Sequence, residues 1–260
     1  MIIKRNFWYW PAAQDRTLHI YLPDNYYHTD ERYPVSYFFD GHNLFYDQDA
    51  TFGTCWGMKN FLDSWHKDMI IVGMECSHDG DSRLSEYCPY DKKWHGNLIR
   101  GIGEETFQWI INDVKPAIDR EYRTWPHREA TAIGGSSMGG IMAAYGVIRH
   151  NDVFSKAASV STGWFWNIAS FRRTLASSNI NPDTRIWMSW GEHEAGKAPR
   201  SGDPETQTKE ARSARKFSLE LNERGADTQI YFQRGGGHRE ADWSRQVPLF
   251  MNYLWCNQRP

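Results

Sequence analysis

Short runs of β-branched and aromatic residues alternate with longer amphipathic segments from about residue 34 onward. This alternation is typical of a mostly parallel sheet covered by helices, because a crossover segment must return the chain before each parallel strand. Several of the short runs are almost continuously apolar, as strands buried on both faces are. The strands predicted in this part of the chain are residues 35–39, 69–74, 130–133, 157–161, 185–190 and 228–233.

The chain opens on two further predicted strands, residues 2–10 and 17–22. Their connector, residues 11–16, is too short to hold a crossover helix, so we expect the two strands to pair antiparallel at an edge of the sheet. With the six later strands they predict an α/β fold whose central sheet has about eight strands and is mostly parallel. Its antiparallel part is N-terminal.

Two segments carry the helical pattern most clearly. Residues 103–122 place apolar side chains at helical spacing despite Pro116 near the end, and residues 209–224 are followed by Gly225, a typical stop signal. At 260 residues and with no shift in composition along its length, the chain is expected to form a single domain over 1–260.

The charge balance narrows the classes of partner. Lys and Arg number 30 against 32 Asp and Glu, a formal net charge of -2, so no basic excess is available for phosphates or anionic lipids. We therefore expect neither nucleic acid nor membrane as a partner. The start of the chain lacks a signal-peptide pattern and no later run reaches a membrane-spanning length, which predicts a cytoplasmic protein. The oligomeric state stays open, with a homo-oligomer among the alternatives.

The cysteines do not indicate a metal centre. Cys55, Cys76, Cys88 and Cys256 lack the paired Cys-x-x-Cys spacing of zinc and redox sites, and we expect buried, reduced thiols. Two acidic and histidine-containing clusters, His78 with Asp79 and Asp81 and the run Glu192-His193-Glu194, lack the frame of a metalloenzyme site. No metal and no cofactor are expected.

The candidate nucleophile is Ser137, in the turn Gly135-Ser136-Ser137-Met138-Gly139. A predicted strand runs into this turn and a predicted helix follows it, which is the order of a nucleophile elbow. Such an elbow needs small residues two before and two after the serine, and Gly135 and Gly139 meet that need. The helix N-terminus favours an oxyanion formed on attack. A phosphate-binding Walker loop is excluded, because no Lys-Ser or Lys-Thr follows the glycines.

The base and the acid are sought after later strands, since they follow the serine in that order in this architecture. His238 follows the last predicted strand within Arg234-Gly235-Gly236-Gly237-His238 and is the candidate base. The strand before it ends in Gly191-Glu192-His193-Glu194, so Glu192 and Glu194 compete as the acid. Asp203 is a more distant alternative.

Acyl transfer also needs a second N–H donor, normally in the loop after the third strand. That loop is Asp40-Gly41-His42-Asn43-Leu44-Phe45, where Gly41 would let the backbone N–H of His42 turn toward the site. As an alternative role for this residue, the His42 side chain forms part of a pocket wall.

Three blocks of the sequence resemble the putative esterase family, the α/β-hydrolases that include esterase D, enterochelin, feruloyl and acetylxylan esterases and mycolyltransferases. Asp40-Gly41-His42-Asn43-Leu44-Phe45 is similar to the family's Asp-Gly-Gln-Asn-Leu-Phe, with His42 in place of Gln. Arg83 with Glu86-Tyr87-Cys88-Pro89 is similar to its Arg-x-x-Glu-Tyr-x-Pro stretch. Residues 116–123 and the Gly-x-Ser-x-Gly turn resemble its most characteristic block.

The resemblance covers nearly the whole chain and implies the α/β-hydrolase fold, with helices on both faces of the sheet. It implies Ser137 as nucleophile, His238 as base and Glu194, of a Gly-x-x-Glu segment, as acid. It further implies an oxyanion hole made by the backbone N–H groups of His42 and Met138. The expected reaction is hydrolysis of a small-molecule carboxylic ester.

Aromatic residues supply the candidate substrate pocket. Trp164, Phe165 and Trp166 follow a predicted strand at the same edge of the sheet as Ser137, and Trp56 and Trp243 are further candidates. Packing in the core is the alternative role for these rings. For the whole protein, the rival functions are an acyltransferase or thioesterase with the same triad, and a non-catalytic binding module on the same fold.

Overall fold

A computed structural model describes residues 1–94, 96–194 and 203–256, without the side chains of residues 94 and 165–167. The fold is of the α/β-hydrolase type, a mostly parallel sheet with helices on both faces. In the described residues the sheet has eight strands, which lie in the order β1 (Ile2–Tyr9), β2 (Gln14–Tyr21), β4 (Ile70–Met74), β3 (Val35–Phe39), β7 (Thr131–Ser136), β8 (Lys156–Val160), β9 (Arg185–Gly191) and β10 (Asp227–Gln233). Two further strands, β5 (Lys92–Trp94) and β6 (Asn97–Ile99), form a separate pair. The predicted fold class is therefore confirmed. The chain divides into two compact units, Met1–Ala132 and Ile133–Pro260. A single domain over 1–260 stays a prediction.

The strands of the first unit begin with an antiparallel hairpin, as predicted. β1 pairs antiparallel with β2, β2 pairs antiparallel with β4, and β3 pairs parallel with β4. Both β3 and β4 are buried along their whole length. The strands are β1 Ile2–Tyr9, β2 Gln14–Tyr21, β3 Val35–Phe39, β4 Ile70–Met74, β5 Lys92–Trp94 and β6 Asn97–Ile99.

The helices of the first unit include the predicted segment across Pro116. There α3 (Gly103–Trp109) is followed by a π-helical stretch, Ile110–Val114, and then by α4 (Lys115–Glu121). The widened turns lie directly before Pro116, which has no N–H for the regular ladder, so the helix continues past the proline. The helices are α1 Met58–Ser64, α2 Ser82–Glu86, α3 Gly103–Trp109 and α4 Lys115–Glu121.

The second unit alternates strands and helices. β9 pairs parallel with both β8 and β10, which confirms the predicted parallel part of the sheet. Gly225 ends α7 at a φ of 100°, a conformation that favours glycine. The strands are β7 Thr131–Ser136, β8 Lys156–Val160, β9 Arg185–Gly191 and β10 Asp227–Gln233. The helices are α5 Met138–Arg149, α6 Trp164–Ala176, α7 Lys209–Glu223, α8 Glu240–Trp243 and α9 Val247–Cys256.

Two sequence expectations concern burial and membrane association. The cysteines are free thiols, and Cys76 and Cys88 are buried as expected, whereas Cys55 and Cys256 are partly exposed. Within the three described ranges, no helix is both long and apolar enough to cross a bilayer.

Candidate active site

Ser137 occupies a strained turn between β7 and α5. Its φ of 56° and ψ of -119° lie outside the regions that residues with a side chain ordinarily adopt. The backbone on both sides is fixed, since the Ser137 N–H donates to Val160 O at 2.9 Å and Ser137 O accepts from Ile141 N–H at 3.1 Å. The side chain is partly exposed, while the neighbouring Ser136 is buried. Of the two hydroxyls, that of Ser137 is the accessible one.

The glycines around Ser137 are required by close backbone contacts. A Cβ atom on Gly135 would lie 2.7 Å from the carbonyl carbon of Gly139, and one on Gly140 would lie 2.2 Å from Thr162 Oγ1. Real side chains do not tolerate such distances, so the turn can form only with glycine here. The contact between Gly135 and Gly139 lies at the two positions where a nucleophile elbow needs small residues.

Two loops of the second unit are fastened together beyond the ends of β9 and β10. Glu192 N–H donates to Gln233 O at 3.0 Å, and His193 N–H donates to Gly236 O at 2.8 Å. The backbones also touch, because a Cβ atom on Gly191 would lie 2.5 Å from Gly236 O. This contact holds the acidic loop beside the histidine loop.

Glu194 is the carboxylate that faces His238. His238 Nδ1 lies 3.7 Å from Glu194 Oε2, and the histidine side chain is 47% exposed against 10% for the glutamate. Among the described residues, Ser137 Oγ forms no hydrogen bond with His238. Catalytic contacts of this kind commonly tighten only when substrate is bound.

The competing acids have other partners. Glu192 Oε2 accepts from Gly235 N–H at 2.7 Å, and this hydrogen bond connects the acidic loop to the histidine loop. Asp203 accepts from Glu205 N–H at 3.0 Å and from Thr206 Oγ1 at 3.1 Å, both within its own turn. Among the described residues, Glu194 is the carboxylate that pairs with His238, whereas Glu192 and Asp203 pair with other groups.

Ser161 connects the candidate acid, Glu194, to Trp243. The sequence did not indicate this contact. Its hydroxyl donates to Glu194 Oε1 at 2.6 Å and accepts from Trp243 Nε1 at 2.7 Å. The Trp243 ring packs edge-on against His238, with 5.0 Å between centroids and 87° between planes. Ser161 directly follows β8 and has a φ of 49°. Its place after a strand that neighbours the elbow strand is the signal that could have identified it.

Asp242 anchors the residues on both sides of His238. Its Oδ2 accepts from Gly237 N–H at 2.9 Å and from Arg239 Nε at 2.7 Å, and its side chain is fully buried. Burial opposes ionisation, but the hydrogen bonds from Arg239 and Gly237 and the nearby guanidinium groups hold the pKa of Asp242 below its ordinary value. The histidine loop is thus fixed by a buried carboxylate.

In the first unit, the predicted oxyanion loop forms a single tight turn after β3. Asp40 adopts a left-handed conformation with a φ of 58°, and residues Gly41–Asn43 form a short helical turn. Gly41 packs so closely on β4 that a Cβ atom there would lie 2.3 Å from the carbonyl carbon of Gly73. The turn therefore depends on glycine.

The two blocks of the first unit that resemble the esterase family bind each other. Arg83 donates to both carboxylate oxygens of Asp40, at 2.8 Å from Nε and 2.7 Å from Nη2. Asp40 N–H donates to the Tyr87 hydroxyl at 3.1 Å. Burial opposes the charge on Asp40, yet Arg83 keeps the pKa of Asp40 below its ordinary value. We call these hydrogen bonds of Asp40 with Arg83 and Tyr87 the lock. The lock gives the three residues a structural role, because it joins the two blocks.

The predicted pocket residues have mixed placements. Trp164 is fully buried against Phe171 and Phe217, which places it in the core of the second unit. Trp56 is buried against Phe38 in the first unit. The side chains of Phe165 and Trp166 lie outside the described residues. For the predicted oxyanion donors, His42 belongs to the first unit and Met138 begins α5 in the second.

The chain is similar in sequence to a known protein family and to a curated protein. A family model described as "Putative esterase" matches residues 12–250. The uncharacterized protein YbbA of Bacillus subtilis strain 168 is 22% identical over 255 residues, which cover 95% of each chain.

Two solved structures share the fold. An IroE-like serine hydrolase from Shewanella oneidensis is 18% identical with a TM-score of 0.74, over 97% of this chain and 81% of that one. The enterobactin esterase from Shigella flexneri is 15% identical with a TM-score of 0.71, and the match covers 99% of this chain and 59% of that one.

Proposed function

The chain belongs to the putative esterase family and is an esterase; from this premise we propose that it hydrolyses carboxylic esters of small molecules through an acyl-enzyme at Ser137. His238 is the base in this proposal and Glu194 is the acid. The observation that carries it is the strained, glycine-flanked Ser137 in the same unit as a histidine whose Nδ1 lies 3.7 Å from a glutamate.

The proposed reaction has two stages. His238 takes the proton of the Ser137 hydroxyl through Nε2, and the oxygen attacks the ester carbonyl carbon to form a tetrahedral intermediate. The intermediate collapses to the acyl-enzyme while His238 gives its proton to the leaving alcohol. His238 then removes a proton from water, which attacks the acyl-enzyme and releases the acid. The proton returns to Ser137 Oγ.

Glu194 acts on the ring nitrogen that does not face the serine. Its negative charge near Nδ1 favours the tautomer with a proton there and stabilises the imidazolium that forms during both stages. The hydrogen bond from Ser161 to the other carboxylate oxygen supports this arrangement, since it fixes the carboxylate plane. For the oxyanion, the family resemblance assigns the backbone N–H groups of Met138 and His42.

Hydrolysis of a chromogenic short-chain ester tests the proposal. We expect Ser137→Ala to lower kcat/KM by about 10³-fold or more, with residual activity from oxyanion stabilisation and substrate binding. Ser136→Ala is the matched control, because it removes the adjacent, buried hydroxyl, and it should keep most of the activity. Full activity in Ser137→Ala would exclude the assignment.

The rival transferase and thioesterase activities are separated by the fate of the acyl group. A hydrolase releases the free acid at the same rate when alcohols are added, whereas a transferase yields the new ester in proportion to the acceptor. Comparison of matched oxygen esters and thioesters by kcat/KM identifies a thioesterase. Dominant transfer or thioester preference would replace hydrolysis of oxygen esters as the main reaction.

A further inference from the structure

Three side chains of the first unit form a cluster that the ester chemistry does not use. His42, Glu75 and His78 each offer one nitrogen or oxygen atom, and these atoms all lie within 4.8 Å of one another. His42 comes from the turn after β3, and the other two come from the loop after β4. The cluster joins two loops that are far apart in the sequence.

One of the two ring nitrogens of His42 is buried and has no hydrogen-bond partner among the described residues. One ring nitrogen, Nε2, lies 2.8 Å from Thr51 Oγ1, and the residue is only 5% exposed. The other nitrogen, Nδ1, is this buried atom. A buried nitrogen without a partner is costly, so such an atom points to a ligand.

Glu75 is held in place by a neighbouring histidine. Its Oε1 lies 2.6 Å from Nε2 of the buried His19, and its Oε2 lies 3.5 Å from His78 Nε2. Hydrogen bonds of this kind orient the ligands of metal sites from outside, and Thr51 does the same for His42. His78 is the most exposed member of the cluster, with 58% of its side chain exposed.

We propose that His42, Glu75 and His78 bind a divalent transition-metal ion, with Zn²⁺ as the best fit. Two imidazoles and one carboxylate are a common protein ligand set for zinc, and they leave a fourth position for water or another small ligand. In tetrahedral zinc the ligand atoms lie about 3.4 Å apart, so a small rotation of exposed His78 completes the site. The ion would clamp the turn after β3 to the loop after β4.

Metal titration of the untagged, chelator-stripped chain tests this site. Isothermal titration with ZnCl₂ should show one ion per chain, and His78→Ala should weaken binding by at least about tenfold. His28→Ala is the matched control, since it removes another exposed histidine of the same unit, and its affinity should equal that of the wild type. Binding weaker than about 1 mM, or equal affinity in His78→Ala and wild type, would overturn the proposal.

A second measurement reports on the ligands themselves. Co²⁺ in place of Zn²⁺ should give visible absorption bands of a tetrahedral or five-coordinate ion, and Glu75→Gln and His78→Ala should each lose them. Bands that persist in both variants would place the ion elsewhere. Ser137→Ala should bind Zn²⁺ like the wild type, so the metal site and the esterase proposal fail or succeed separately.

Discussion

At the scale of single residues, Ser161 has a larger role than its position suggests. It holds the Glu194 carboxylate and receives the indole N–H of Trp243, the ring that packs against His238. A hydrogen bond to a charged group contributes about 1.5 to 3 kcal/mol. In the proposed mechanism Ser161 is therefore a positioning residue, which acts through Glu194 and not by touching the reacting atoms.

Removal of the Ser161 hydroxyl should lower the rate more than substrate affinity. We expect Ser161→Ala to reduce kcat by about tenfold or more with a small change in KM, because the acid loses its orientation. Ser155→Ala is the control, since it removes a buried hydroxyl just before the opposite end of β8. Equal kcat in both variants would show that Ser161 does not position Glu194.

The two glutamates of the acidic loop should differ sharply in their effect on turnover. Glu194→Gln should lower kcat by about 10³- to 10⁴-fold, the loss seen when a triad acid becomes an amide. Glu192→Gln should cost less than about tenfold, because that side chain only accepts from Gly235 N–H. Steady-state kinetics on one ester compares them. A larger loss in Glu192→Gln would reverse the assignment.

At the scale of elements, the short helix α8 supports the histidine loop from two of its residues. The Asp242 carboxylate accepts hydrogen bonds from Gly237 N–H and Arg239 Nε, the residues before and after His238. The Trp243 ring packs edge-on against the imidazole. The backbone of Asp242 is held in turn, since its carbonyl accepts from Gln233 Nε2 at 3.0 Å. One turn of helix thus connects the end of β10 to His238, the candidate base.

Asp242→Asn should destabilise the protein in a way that depends on pH. The pKa of Asp242 is lower in the folded state than in the unfolded chain, so its ionised form adds stability above about pH 4 that is lost as the pH falls through the folded value. We expect the variant to lose about 1 to 3 kcal/mol at pH 7 and the difference to shrink below pH 4. Urea unfolding at both pH values measures it. A difference that is unchanged at low pH would exclude this role of the charge.

The lock between the turn after β3 and α2 should require arginine. Arg83→Lys keeps the charge but loses the two parallel hydrogen bonds to Asp40, and we expect a loss of about 1 to 3 kcal/mol in unfolding free energy. The control is Arg120→Lys, in an exposed pair with Glu121 that should contribute close to nothing. Chemical denaturation compares the two. An equal unfolding free energy in Arg83→Lys and Arg120→Lys would show that the two hydrogen bonds from Arg83 to Asp40 do not stabilise the fold.

At the scale of the whole molecule, the sequence was most informative where function depends on local geometry. The Ser137 turn was predictable because strand, glycine spacing and helix are contiguous, and the strands were predictable because buried parallel strands are apolar throughout. The chain order expected of a triad narrowed the candidate base to His238. The choice of Glu194 as candidate acid depended on the family resemblance, since Glu192 is equally close in sequence.

The features that the sequence did not reveal are formed by residues distant along the chain. Ser161, Glu194 and Trp243 meet only in the folded second unit, and the His42 and Glu75 side chains meet only through the pairing of β3 with β4. Aromatic residues were ambiguous for another reason. The same rings serve a pocket or a core, and Trp164 proved to be fully buried.

The proposed mechanism depends on Ser137 as the nucleophile, and covalent labelling tests that assignment most directly. After reaction with a fluorophosphonate, mass spectrometry of the digested protein should place a single adduct on Ser137. His238→Ala should be labelled much more slowly, because the hydroxyl then lacks its base. An adduct on another residue, or no adduct on active wild-type protein, would contradict the account.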